Sequence, residues 1–120
     1  MSRSLVVKLT TGVEQPERCS QAFAVCAAAL ASGVTVSLWL TGESVWLALP
    51  GRAEQFDLPH SPPLADLRDM ILGSGSITVC APCALRREVA VGELLDGVRV
   101  AGAASFVAEI LEPDAQALVY

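Results

Sequence analysis

The sequence predicts an α/β fold: a three-layer α/β/α sandwich around a five-stranded, mostly parallel sheet. Three observations predict it. Short apolar segments alternate with segments of helical periodicity along the chain, which is the pattern of repeated βα units. Most of the apolar segments are nearly continuous, as in strands that are covered on both faces. The length of 120 residues fits a single domain, residues 1–120, with one core.

The strand candidates are short runs rich in β-branched and other apolar residues. They are Leu5–Thr10, Val34–Leu40, Ile77–Cys80, Val98–Ala101 and Ala117–Tyr120. Sites in such sheets form at the carboxyl ends of strands. Cys80 lies at such an end, and we expect the small and polar residues Thr11, Gly12 and Gly42 at two other strand ends to form a pocket rim. One sequence does not determine strand order, so whether these loops meet Cys80 stays open.

Helical segments are indicated by apolar residues that recur every three or four positions. The first begins near Pro16 and stops near Gly33, a residue type that commonly follows a helix. Further helices are predicted over Gly42–Leu49, Leu64–Ile71, Pro82 to near Gly92, and Ala103–Leu111. The segment from residue 50 to 63 has four prolines and the only histidine, and we expect it to be a surface connection.

Composition limits the partners. Thirteen acidic residues against 8 basic ones give a net charge of −5, and no basic run is present, so direct nucleic-acid binding is not expected. A hydrophobic fraction of 52% is high for one small domain, because a small domain has much surface to keep polar. We therefore expect a homo-oligomer or a complex with partner proteins.

The segment Ala22–Leu40 has no charged residue and is long enough to span a bilayer. A helix–turn–strand explains it better, because Ser32 and Gly33 interrupt it and the residues that follow alternate like a strand. No membrane association is expected. The apolar run near the N-terminus is too short for a secretory signal, so we expect a cytoplasmic protein whose four cysteines are reduced.

The most specific feature is the segment ITVCAPCALRR from Ile77 to Arg87. A β-branched run ends in Cys80, and Pro82 can open a helix because proline is well tolerated at the first helical position. The thiol of Cys80 would then face free N–H groups and a helix dipole, which favour the thiolate. This predicts a lowered pKa and a nucleophile that accepts sulfane sulfur as a persulfide. A buried cysteine acting as a small hydrophobe fits the local sequence equally well.

Cys83 completes a C-A-P-C pair with Cys80. In a thioredoxin-like fold this spacing indicates dithiol–disulfide exchange, but here the pair follows the third predicted strand rather than an early one. Cys83 could instead resolve or share a persulfide on Cys80. Arg86 and Arg87, one turn later, are candidates to stabilise an anion or thiolate, or else complete an exposed helix face.

The remaining cysteines predict no metal site. Cys19 and Cys26 lie on the apolar stripe of the first helix and are separated by roughly 10 Å at about 1.5 Å per residue, too far to ligate one metal together. We expect both to be core residues. His60, in the proline-rich connection, is expected to be solvated rather than a ligand or base.

The residues Cys80–Arg87 resemble the active-site segment of DsrE/DsrF-like proteins, in particular TusD-like members of the sulfur relay for tRNA 2-thiolation. Three further segments are similar to family motifs: Pro16–Arg18, Leu38–Val45 and Val98–Glu109. One departure stands out. The glycine that usually follows the two arginines is Glu88 here, which brings a negative charge near the thiol.

The resemblance implies a flavodoxin-like domain, usually assembled as trimers or hexamers, that acts in sulfur trafficking. It places the sulfur-accepting cysteine at Cys80, with protein donors and acceptors and without a metal or organic cofactor. The leading hypothesis is a sulfur carrier or sulfurtransferase-like protein. The alternatives are a non-catalytic subunit or small-ligand-binding module of the same fold and, less favoured, an oxidoreductase that cycles a Cys80–Cys83 disulfide.

Overall fold

The computed structural model describes residues 3–120 and contains one all-parallel, five-stranded sheet. The strands are β1 (Ser4–Leu9), β2 (Thr35–Leu40), β3 (Ser76–Cys80), β4 (Arg99–Ala101) and β5 (Ala115–Val119). Their order across the sheet is β4-β3-β2-β1-β5. The predicted α/β fold is confirmed, and each strand candidate overlaps an observed strand.

Four α-helices cover the sheet: α1 (Pro16–Ala31), α2 (Leu64–Ser74), α3 (Ala81–Arg86) and α4 (Ala103–Ile110). Three short 3₁₀ segments also occur, at Gly42–Ala48, Ala53–Gln55 and Val91–Glu93. The helix expected after β2 is thus a 3₁₀ segment. None of the helices within residues 3–120 is long and apolar enough to cross a membrane. The uncharged segment Ala22–Leu40 is divided among α1, a turn and β2, as predicted.

Helix α3 is shorter than predicted, and the expectation that it runs to near Gly92 was wrong. It ends at Arg86 because Glu88 takes a left-handed conformation with φ of 56°. The N–H of Glu88 bonds the carbonyl of Leu85, and the N–H of Val89 bonds that of Ala84. These are the two bonds of a Schellman motif, which usually has glycine in the left-handed position. Nothing in the sequence pattern marks a glutamate as a helix stop.

The two faces of the sheet differ because side chains alternate along each strand. Leu5, Val7 and Leu9 of β1, with their counterparts on β2 and β3, form the main core with α1 and α2. The opposite face carries polar residues and is covered by α4. There the ring of Phe106 packs edge-on against Trp39, with ring centroids 5.4 Å apart. Helices therefore lie on both faces, as the three-layer prediction requires.

A hydrogen-bonded network joins α4 to this second face. The carboxylate of Glu109 accepts bonds from Ser37 Oγ at 2.5 Å and Trp39 Nε1 at 3.2 Å, and it pairs with Arg99 at 3.0 Å. Arg99 also donates to Thr78 Oγ1 at 2.7 Å. The network satisfies polar groups that lie between the layers and fixes α4 above β2, β3 and β4.

A buried arginine ties α2 to the connection that precedes it. Arg68 is only 3% exposed and makes two hydrogen bonds to the carboxylate of Glu54, at 2.8 and 2.9 Å. These bonds lower the pKa of Glu54 to about 2. Asp69 supplies a second carboxylate at 3.0 Å. The cost of burying the guanidinium is therefore offset by two acidic partners.

This pair predicts a loss of stability in acid. The pKa of Glu54 is lower in the folded protein than in the unfolded chain, where it is about 4.3. Its contribution is therefore complete above about pH 5 and is lost as the pH falls toward 2. Because the carboxylate is half exposed, we expect Glu54→Gln to lower the free energy of unfolding by only about 1–2 kcal/mol at pH 7. Urea denaturation of the wild type and the variant between pH 7 and 3 measures this difference in the free energy of unfolding. Asp57→Asn, which removes an exposed acid nearby, should cause no such change.

Candidate functional site

The candidate site lies at the carboxyl edge of the sheet, where β3 passes into α3. Cys80 is the last residue of β3 and the N-cap of α3, with extended backbone angles. Because β2 is the neighbour of β3, the turn after β2 lies beside this junction. The strand order thus answers the question that the sequence left open: the loop with Gly42 meets the cysteine pair.

The loops after β1 and β2 pack directly on each other. Gly42 has a φ of 57°, and a Cβ added there would lie 2.7 Å from the carbonyl oxygen of Thr10. A Cβ on Gly12 would lie 2.7 Å from the carbonyl oxygen of Glu43. At both positions only glycine, which has no Cβ, allows the two loops to lie this close together. Of the predicted rim residues, Gly42 contacts the cysteine pair, whereas Gly12 packs on Glu43. The Oγ1 atom of Thr11 is buried and has no hydrogen-bond partner in residues 3–120.

The thiol environment favours a thiolate on Cys83. Cys83 is 9% exposed, and this burial opposes ionisation. A hydrogen bond from the Gly42 N–H, another from the Cys80 thiol, and the charges of Arg86 and Arg87 outweigh the burial and lower the pKa of Cys83. Ionised cysteine is the reactive form. The more acidic thiol is therefore the second cysteine of the pair.

The pKa of Cys80 shifts the other way. Burial raises it, and so do the hydrogen bond to the Cys83 thiol and the charge on Cys83. The Cys83 backbone amide and the charge of Lys8 lower it by less. The expectation of a lowered Cys80 pKa was therefore wrong in direction. The physical reason is that two adjacent thiols share one negative charge. The charge lies on the sulfur that is stabilised by more hydrogen-bond donors and positive charges, which is that of Cys83. Helix α3 has only six residues, so its dipole is short and adds little to the groups that lower the pKa of Cys80.

The two arginines take different positions. Arg86 is exposed and places Nη1 4.0 Å from the Cys83 sulfur. Arg87 donates from Nε to Glu43 at 2.8 Å and from Nη1 to the Cys83 carbonyl at 3.1 Å. The Arg87 hydrogen bond lowers the pKa of Glu43. Arg86 is thus the cation that faces the sulfur, while Arg87 fixes the turn after β2 against α3.

Sequence reasoning missed Lys8 and Glu43. Lys8 lies on the face of β1 opposite the core, and its charge favours ionisation of Cys80. Its ammonium group lies 5.0 Å from the ring centre of Phe106, and it forms no ion pair with any residue from 3 to 120. Strand alternation could have revealed Lys8, because a lysine interrupts an apolar strand near its carboxyl end. Glu43 gave no signal in the sequence.

Two predictions about the other titratable residues are confirmed. Cys19 and Cys26 are fully buried core residues, and burial raises the pKa of each to about 12. His60 is exposed in the connection between β2 and α2. Within residues 3–120, no cluster of three or more His, Cys, Asp or Glu side chains could hold a metal ion.

A cavity of about 520 Å³ adjoins the site and shares Glu43 with it. Its walls are mostly apolar, and the guanidinium of Arg52 stacks 4.7 Å from the ring centre of Trp46 on one side. The lining residues are Val13, Pro16, Glu43, Trp46, Leu47, Arg52, Gln55, Phe56 and Asp57. The volume falls within the range of small-molecule sites.

Comparison with models of protein families identifies the family to which the chain belongs. A model of the DsrE/DsrF-like family matches residues 3–117, nearly the whole chain. The chain belongs to the DsrE/DsrF-like family. The family match covers the cysteine pair, the turn at Gly42, the whole of β1 to β4 and the first three residues of β5. No curated protein sequence matches the chain.

Solved structures of low sequence identity share the fold. The YchN protein of E. coli superposes with a TM-score of 0.78 at 16% identity, covering 100% of both chains. A protein of unknown function from Methanobacterium thermoautotrophicum gives 0.72 at 11% identity, covering 99% of this chain and 100% of its own. A third, from Bacteroides thetaiotaomicron and also of unknown function, gives 0.62 at 18% identity and covers 98% and 95%. At these identities the likeness establishes the fold alone.

Glu88 strains the end of α3, because it takes a left-handed conformation with φ of 56° that glycine adopts more readily. The left-handed conformation costs a residue with a Cβ about 1–2 kcal/mol, and glycine avoids this cost. Glycine also loses more conformational freedom on folding, which lowers the free energy of unfolding by about 0.5–1 kcal/mol. We therefore expect Glu88→Gly to raise the free energy of unfolding by about 0.5 kcal/mol, and Glu88→Val to lower it. Urea denaturation measures both. Glu112→Gly, at an exposed residue without positive φ, should not stabilise.

Proposed function

We propose that this protein is a sulfur carrier that accepts sulfane sulfur on Cys80 and passes it to an acceptor thiol. The observation that carries the proposal is the pair of adjacent cysteines at the end of β3, with the more accessible sulfur on Cys80 and the more acidic one on Cys83. Membership of the DsrE/DsrF-like family supports a role related to sulfur relay. Thiol chemistry of this kind also fits the reducing cytoplasm, where free cysteines persist.

The pair provides a route for loading. As the sulfur of Cys80 attacks the outer sulfur of a donor persulfide, its proton moves to the neighbouring Cys83 thiolate. A bond forms between Cys80 and the sulfane sulfur, the donor's sulfur–sulfur bond breaks, and the donor leaves as a thiolate. Cys83 thus acts as the base, which allows Cys80 to react although its own pKa is raised. Lys8 and Arg86 supply positive charge beside the anions that form.

We further propose that the protein acts as an oligomer with donor and acceptor proteins as partners. Apolar side chains are exposed on strand β5 and on helix α4 and its C-cap, among them Val107, Leu111 and Val119, which are 46%, 74% and 66% exposed. Apolar surface of this kind is typical of association sites. The net charge of −5 argues against direct binding to nucleic acid.

The second candidate function is binding of a small ligand without sulfur chemistry. The cavity beside Glu43 favours it, because its apolar wall and the guanidinium stacked on Trp46 suit a small aromatic molecule. The two functions differ in what they require of Cys80. A binding module tolerates loss of this thiol, and a carrier does not.

Incubation with glutathione persulfide tests the proposal. The wild-type protein should gain one sulfur atom on Cys80, located by mass spectrometry of the peptide, and should transfer it to a small acceptor thiol. Cys80→Ser should abolish loading, because a serine hydroxyl is not a nucleophile for sulfane sulfur at neutral pH.

The matched control is Cys26→Ala, which removes a thiol from the core of α1. It should load like the wild type once its folding is verified by circular dichroism. A wild-type protein that takes up no sulfur, or a Cys80→Ser protein that takes up as much, contradicts the carrier function. Either result would favour the binding module.

A further inference from the structure

We propose that Cys83 also resolves the persulfide on Cys80, so that the protein can release its sulfur as hydrogen sulfide ion and form a Cys80–Cys83 disulfide. This inference rests on the proposed sulfur carrier function. It adds a second, reductive fate for the bound sulfur, which then does not need an acceptor protein. Three features of the pair support it: the distance between the cysteines, their unequal exposure and the groups around Cys83.

The first feature is the geometry of the pair. Cys80 is the N-cap of α3 and Cys83 lies three residues later in its first turn. Residues so spaced on a helix are neighbours, with Cβ atoms about 5–6 Å apart, and a disulfide joins Cβ atoms about 3.5–4.5 Å apart. The two thiols lie close enough for each to shift the pKa of the other. A disulfide therefore requires rotation of the side chains and an approach of the two Cβ atoms by about 1–2 Å.

The second feature is the unequal access to the two sulfurs. Cys80 is half-buried, so an external donor can reach it, whereas Cys83 is 9% exposed and belongs to the core cluster. Cys83 is thus the less accessible target for an external persulfide, and it lies one helical turn from any sulfur bound to Cys80. This arrangement separates the accepting thiol from the resolving thiol.

The third feature is the set of donors around Cys83. The Gly42 N–H and the Arg86 guanidinium stabilise negative charge on its sulfur. After loading, Cys83 holds the proton received from Cys80, and the outer sulfur of the persulfide carries the negative charge. When the proton returns to that outer sulfur, Cys83 becomes a thiolate held beside the inner sulfur of the persulfide.

The step balances in atoms and electrons. The Cys83 thiolate attacks the Cys80 sulfur, and a bond forms between these two atoms. The bond between Cys80 and the outer sulfur breaks, and its electron pair leaves with the outer sulfur as hydrogen sulfide ion. The sulfane sulfur is reduced, and the two cysteines are oxidised to the disulfide. A dithiol reductant then supplies two electrons and two protons to restore both thiols.

A single-turnover experiment tests this inference. The protein is loaded with glutathione persulfide, freed of the donor and diluted. Released sulfide is trapped with monobromobimane, while the disulfide is followed by peptide mass spectrometry without reductant. We expect wild-type protein to release one sulfide for each persulfide lost, to form an equal amount of Cys80–Cys83 disulfide, and to be reset by dithiothreitol. In Cys83→Ser, loaded to the same extent by longer incubation, release should be slower by at least about tenfold because no positioned thiol remains.

The outcomes separate the two proposals. Absence of both a persulfide on Cys80 and a Cys80–Cys83 disulfide after loading contradicts the carrier function itself. A persulfide that forms but lasts as long in the wild type as in Cys83→Ser overturns only the resolving role. Sulfide release without the intramolecular disulfide, or with a disulfide between two chains, overturns it as well. Cys83→Ala guards against an effect specific to serine, and Cys26→Ala controls for loss of a buried thiol.

Discussion

Cys83→Ala should slow persulfide formation on Cys80 by about 100-fold at pH 7, the lower end of the range for loss of a positioned base. In the wild type the pair carries a negative charge at lower pH than an isolated thiol does, because the pKa of Cys83 is lowered by the groups that surround it. Without Cys83, Cys80 must lose its proton to water, and few molecules are ionised below the ordinary cysteine pKa of about 8.5.

The pH dependence identifies the cause. The rate of loading should rise with pH in both proteins, but the rise should lie at higher pH in Cys83→Ala than in the wild type. The difference between the two loading rates should shrink as the pH rises above the ordinary pKa of cysteine, because Cys80 is then ionised without Cys83 as its base. Loading is measured by quenched-flow mass spectrometry with glutathione persulfide at a series of pH values. Equal rates at pH 7 in the two proteins would show that Cys83 is not the proton acceptor.

Gly42→Ala should lower the free energy of unfolding by about 3 kcal/mol. The left-handed backbone costs a residue with a Cβ about 1–2 kcal/mol, and the new methyl group would lie 2.7 Å from the Thr10 carbonyl oxygen, which adds an overpacking cost of about 1–3 kcal/mol. Because the clash is with backbone, it can be relieved only by moving the turn. The Gly42 N–H would then shift from the Cys83 sulfur, so the pKa of Cys83 should rise.

Gly33→Ala is the matched control. Gly33 also has a positive φ, 84°, but a Cβ there meets nothing within 4 Å. Its substitution should therefore cost only the backbone strain less the gain from a less flexible unfolded chain, about 0.5–1 kcal/mol in all, and should leave the thiols unchanged. Urea denaturation measures both losses, and the pH dependence of alkylation by iodoacetamide reports on the thiols. Equal losses in the two variants would mean that the contact between the β1 and β2 loops is not tight.

The end of α3 is the clearest local failure of sequence-based prediction. Helix α1 ends in the same hydrogen-bond pattern with Gly33 in the left-handed position, and there the pattern was correctly recognised. At α3 the same position holds Glu88, a residue type that usually continues a helix. Propensity describes an average over many contexts, and here the local hydrogen bonds to Ala84 and Leu85 outweigh it.

The amino-acid sequence determined the alternation of strands and helices, the burial of Cys19 and Cys26, and the position of Cys80 at a strand end. These features depend on hydrophobic periodicity and on local backbone preferences, which neighbouring residues specify. Only the tertiary structure decided which loops lie beside the thiols and which cysteine holds the charge. Gly42, Lys8 and Arg86 approach the pair from separate parts of the chain, and a pKa depends on the groups that converge in space rather than on those adjacent in sequence.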